Sequence, residues 1–79
     1  MLIFDRFQSR PQAEAFAGFV RGTHRLWARV CDDQQESNQI DPFPFRLRGF
    51  IVLVERTEYE LERRIEYEVE RHGGHFAGT

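Results

Sequence analysis

The clearest pattern in the chain is an uninterrupted apolar run, Phe50–Val54, which Glu55 and Arg56 close. A strand with one wet face alternates apolar and polar side chains, whereas a strand covered on both faces does not. The run therefore predicts a strand in the middle of a sheet, with other parts of the protein covering both of its faces.

Residues 2–7 predict another strand that is apolar on both faces. In a regular strand, Leu2 and Phe4 would lie on one face, and Ile3 and Phe7 on the other. This segment is the second candidate for a central strand.

The signals of a helix start follow this strand. Ser9 can accept a hydrogen bond from the first turn, Gln12 can return one, and Pro11 suits that turn. Apolar residues then recur at the spacing of one helix face, and Gly22 is the expected stop. The face consists of Ala13, Phe16, Ala17 and Val20, with Phe19 at its side.

A further strand is predicted over residues 26–31, and a long polar connection over residues 32–49 follows it. Prolines at positions 42 and 44 exclude a helix there and argue against a central strand. Burial of Phe43, Phe45 and Leu47 would explain so long a loop. The alternative is one kinked strand over residues 45–54 with a bulge at Gly49.

The second helix is predicted to begin with a capping box, because Thr57 is followed three residues later by Glu60. Its apolar stripe consists of Leu61, Ile65, Val69 and His72. Gly73 and Gly74 end the helix, and residues 75–79 can form a short fourth strand at an edge.

The order β-α-β-β-α with a short C-terminal strand predicts a single α+β domain over residues 1–79. It is the order of a two-layer ferredoxin-like sandwich, in which the first and third strands are central. Two helices cover only one face of such a sheet. The opposite face would expose a large apolar patch unless the 32–49 connection or a second chain covers it.

Composition limits the function classes. The 79 residues carry a formal charge of −2 and include no lysine, so lysine chemistry is excluded. Cys31 is the only cysteine, which excludes an internal disulfide and favours the cytoplasm. The N-terminus lacks the pattern of a signal peptide, and no apolar run is long enough to cross a membrane.

Candidate chemistry is sparse, and no cofactor is predicted. His72 and His75 have the spacing of a two-histidine chelate, but a zinc site needs three or four ligands. His24 and Cys31 lack the oxyanion motif that a cysteine nucleophile needs. Nucleic acid is not expected as a partner, because seven glutamates between positions 55 and 70 would repel phosphate.

The sequence therefore favours a small non-enzymatic protein-interaction or regulatory module. It would act as a homodimer, or bound to another protein, through the helix-free sheet face. The candidate contact residues are Trp27, Arg29, Phe43, Phe45 and Leu47. A small ligand-binding or metal-binding protein, or an enzyme using His72, His75 or Cys31, is the alternative hypothesis.

Overall fold

A computed structural model of the chain describes residues 1–31 and 47–79. In these ranges the chain forms four strands and two α-helices, so the predicted α+β class is confirmed. The elements are β1 (Leu2–Phe7), α1 (Arg10–Phe19), a π-helical turn (Val20–His24), β2 (Ala28–Cys31), β3 (Phe50–Val54), α2 (Tyr59–Arg71) and β4 (His75–Gly78).

The four strands form one sheet in the order β2-β3-β1-β4, and all neighbours are antiparallel. β1 and β3 are therefore the two central strands, as the apolar residues on both of their faces predict. The predicted C-terminal strand is present and lies at an edge, next to β1.

Both helices pack on the same face of the sheet, which we call the helix-covered face. Phe16 is fully buried there between two rings of β1, with ring centroids 5.2 Å from Phe4 and 5.5 Å from Phe7. From α2, Ile65 and Val69 complete this core. The predicted apolar stripes of both helices are confirmed.

The opposite face carries no helix among the described residues, and we call it the helix-free face. Ile3, Cys31, Ile51 and Leu53 form a second buried cluster there, and Leu47 packs against it. Both faces of β3 are therefore buried within a single chain, since Ile51 to Val54 are all buried.

A β-bulge in β1 corrects the predicted facing of that strand. Phe4 pairs with Val52 and Phe7 with Phe50, so two residues of β1 lie opposite the single Ile51. The extra residue restores Phe7 to the face of Phe4, so its predicted place beside Ile3 is wrong. Arg6 adopts the left-handed region within this bulge, at φ 67°.

The helix boundaries differ from prediction at two ends. α1 begins as expected, with Ser9 Oγ accepting from the Gln12 amide, but the chain continues past Gly22 as the π-helical turn to His24. α2 begins at Tyr59, so the capping box at Thr57 is wrong. Instead the Glu62 carboxylate reaches back and accepts from the Thr57 amide at 2.8 Å.

The segment before β3 is not a continuation of that strand. β3 begins at Phe50, and residues 47–49 are not in a strand, so the single kinked strand is wrong over these residues. Gly49 adopts φ +68°, and an added Cβ would lie 2.7 Å from the Phe7 carbonyl oxygen. Glycine is therefore required at this turn.

In residues 1–31 and 47–79, no helix combines the length and the apolar composition that a membrane span needs.

Candidate functional site: the helix-free face of the sheet

One end of the helix-free face carries a row of three partly exposed side chains. Trp27 lies opposite Glu55, whose amide donates to the Trp27 carbonyl at 3.0 Å. The pairing of Leu2 with Val54, extended by one residue, places Met1 opposite Glu55 on the other side. Trp27 is 47% exposed and Met1 49%, so two large apolar groups flank the half-buried Glu55, whose carboxylate accepts from the Trp27 amide. We call Met1, Trp27 and Glu55 the apolar row.

The next row of this face joins the apolar row to the buried cluster. Arg29 pairs with Leu53, which in turn pairs with Ile3. Arg29 is exposed at the edge strand, whereas Leu53 and Ile3 are buried. Of the predicted contact residues, the structure therefore brings Trp27 and Arg29 together at one edge of this face.

The remaining predicted contact residues divide into two groups. Leu47 is half-buried against the cluster of Ile3, Cys31, Ile51 and Leu53. Phe43 and Phe45 lie outside the described residues.

The other end of the helix-free face holds a buried carboxylate. The side chain of Asp5 is only 3% exposed, and its Oδ2 accepts from the Arg48 amide at 3.0 Å. Its Oδ1 lies 3.2 Å from His75 Nδ1 and 4.0 Å from Arg6 Nε. We call Asp5, His75 and Arg6 the Asp5 cluster.

The bulge in β1 and the register of β4 build the Asp5 cluster. His75 pairs directly with Asp5 across the two strands, so the two side chains project from the same face. Arg6 is the residue with a positive φ, and its amide donates to the Arg48 carbonyl at 2.7 Å. A non-glycine residue in this conformation costs of order 1–3 kcal/mol, which the surrounding contacts must offset.

The sequence motifs with possible metal chemistry are separated in space. The His72 ring packs against Phe19 and Phe16, at centroid distances of 5.0 and 5.4 Å, among the helices. His75 instead contacts Asp5 on the helix-free face. Within the described ranges, no three His, Cys, Asp or Glu side chains are arranged to hold a metal ion.

His24 and Cys31 are also apart. His24 Nε2 lies 2.8 Å from Glu68 Oε1 of α2, in the helix layer. Cys31 is buried in the helix-free face. Among residues 1–31 and 47–79, His24 and Cys31 therefore do not form the pair that a cysteine–histidine nucleophile needs.

An ion pair with two hydrogen bonds lies at the start of α2. Arg56 binds both Glu62 oxygens, at 2.9 and 3.3 Å. The hydrogen bond from Arg56, and then that from the Thr57 amide, lower the pKa of the Glu62 carboxyl below its usual value. These contacts anchor the helix to the end of β3.

Sequence reasoning missed the Asp5 cluster. The available signal was Asp5, an acidic residue two positions after Ile3 and therefore on the same face of a regular strand over residues 2–7. A buried charge requires partners, so that position already implied a contact with basic groups elsewhere.

Comparison of the chain with protein-family models, curated proteins and solved structures gave no match.

Proposed function

We propose that residues 1–79 form one ferredoxin-like domain that acts as a protein-interaction module and binds a second copy of itself through the apolar row. The strand order β2-β3-β1-β4 supports this arrangement, together with two helices packed on one face. The observation that carries the proposed contact is the exposure of Trp27 and Met1 on either side of Glu55, next to the buried cluster of the helix-free face.

The composition of the row favours a second copy as its occupant. Tryptophan and methionine are enriched in protein interfaces. A two-fold contact brings the same patch of each copy together, so the patch must be complementary to itself. The two large apolar groups on either side of Glu55 meet that condition, because apolar side chains can pack against their own copies.

Contact through side chains is favoured over the addition of a strand to the edge of β2. The hydrogen bond between Trp27 and Glu55 fixes the register, so the backbone groups of Ala28 point away from β3. Arg21 Nε already donates to the Ala28 carbonyl at 3.0 Å. A charged side chain on an edge strand opposes pairing with another strand.

The proposed location is the cytoplasm. Cys31 is buried and is the only cysteine of the chain, so the fold uses no internal disulfide and is compatible with a reducing compartment.

The experiment is sedimentation over a wide concentration range, combined with emission from Trp27, the only tryptophan. We expect a concentration-dependent dimer whose formation shifts Trp27 emission to shorter wavelength. Trp27→Ala should weaken dimerisation at least about tenfold, as expected for an interface anchor. Tyr67→Ala, which removes an exposed aromatic ring from α2, is the matched control and should leave dimerisation unchanged.

A protein that stays monomeric at every concentration, with unchanged Trp27 emission, would refute self-association. Equal weakening by Trp27→Ala and Tyr67→Ala would place the interface elsewhere.

A further inference from the structure

We propose that the Asp5 cluster is a binding site for a small oxyanion of the phosphate class, held between the guanidinium of Arg6 and the imidazolium of His75. This site is distinct from the apolar row and does not depend on the dimer proposed above.

The geometry begins with one shared oxygen atom. Asp5 Oδ1 lies 3.2 Å from His75 Nδ1 and 4.0 Å from Arg6 Nε. Both cationic groups therefore converge on a single buried acceptor. The terminal nitrogens of Arg6 are donors that this contact does not use, and His75 Nε2 is a second such donor when the ring carries both protons.

Asp5 is buried, whereas Arg6 and His75 are exposed, so the two basic side chains are accessible to a ligand. The Asp5 side chain is 3% exposed, whereas those of Arg6 and His75 are 57% and 49% exposed. The carboxylate is thus a buried support, and the two cationic side chains form the accessible surface. Such support reduces the entropy lost when both donors bind one anion.

Charge also favours an anion. When the His75 ring carries both protons, Arg6 and His75 together carry one positive charge more than the Asp5 carboxylate neutralises. Guanidinium and imidazolium groups make their strongest hydrogen bonds to carboxylate and phosphate oxygens.

The backbone conformation of Arg6 is unusual for an arginine. It is one of two non-glycine residues with positive φ in the described chain, at 67°. Glycine would adopt this conformation without strain. An arginine in this strained conformation is explained if its side chain is needed beside His75.

The experiment is a titration with inorganic phosphate at constant ionic strength, followed by the side-chain ¹⁵N resonances of Arg6 and His75. We expect saturable shifts of these two side chains. Arg6→Gly should weaken phosphate binding about tenfold or more, because a charge-assisted donor is lost. The same variant should keep or raise the thermal midpoint, because the left-handed residue becomes glycine. Arg63→Gln, which removes an exposed arginine of α2, is the control and should change the affinity less than about twofold.

A second variant separates a positioned site from bulk electrostatics. Asp5→Asn removes a negative charge, so simple charge attraction predicts tighter phosphate binding. If Asp5 positions the two donors, binding becomes weaker instead, while circular dichroism shows the protein folded.

Three results would overturn the proposal. One is the absence of saturation up to about 10 mM phosphate, which corresponds to an affinity too weak for a built site. Another is unchanged binding in both Arg6→Gly and His75→Asn. The third is tighter binding in Asp5→Asn.

Discussion

Both faces of the sheet bury apolar side chains, but the two faces are built differently. The helix-covered face buries aromatic and aliphatic side chains from β1, β3, α1 and α2 in one continuous core. The helix-free face buries a smaller cluster around Ile51, with an exposed apolar row at one end and a buried carboxylate at the other. The first face holds the larger buried core, and the second carries both of the sites proposed above. The predictions below test that division.

The largest loss is expected from Phe16→Ala on the helix-covered face. The ring contacts both Phe4 and Phe7, and its removal leaves a cavity between helix and sheet. Such truncations cost about 3–5 kcal/mol, a large part of the stability of a small domain. Urea unfolding would measure the loss, with Phe16→Leu as the milder control. A loss below about 1 kcal/mol would show that this face is not the main core.

A smaller loss is expected from Ile51→Ala on the helix-free face. Ile51 and Ile65 are both buried isoleucines, at 1% and 0% exposure, so Ile65→Ala is the matched variant on the other face. Each substitution should destabilise by about 2–5 kcal/mol, with Ile65→Ala costing more because helix and sheet enclose its cavity. The two variants are compared by urea unfolding.

A cost for Ile51→Ala below about 0.5 kcal/mol would be typical of an exposed site. That result would refute the burial of the helix-free face.

The smallest effect concerns the charge pair at the start of α2. Arg56 and the Thr57 amide lower the pKa of Glu62 in the folded state from its ordinary value of 4.5. The stabilisation is therefore complete above that ordinary value and is lost as the pH falls through the lowered pKa. Thermal midpoints of the wild type and Glu62→Gln should differ at neutral pH and converge in acid. A constant difference at every pH would contradict the assignment.

Periodicity predicted the parts of the fold that follow from burial alone. The unbroken apolar run of β3 predicts a strand covered on both faces, and the structure confirms this. The apolar stripes of both helices could also be predicted, because a helix that packs on a sheet needs only one apolar face. These features depend on local order and not on which strands pair.

The features that were not predicted depend on register. The bulge at Asp5 and Arg6 has no glycine or proline to mark it, and it reverses the facing of Phe7. The contact between Asp5 and His75 joins residues 70 positions apart, and the alignment of β4 with β1 creates it. The register of two strands that are distant in the chain cannot be predicted from a single sequence.

The bulge has a consequence for how this chain tolerates length changes. Phe4 and Phe7 are an odd number of residues apart, and they meet the same aromatic partner only because β1 is one residue longer than its complement. Deleting Arg6 would remove the bulge and leave a regular ladder, in which the two phenylalanines lie two residues apart and still share one face. A homologue one residue shorter at this point could therefore keep both phenylalanines, and it would lose the hydrogen bond from the Arg6 amide to the Arg48 carbonyl.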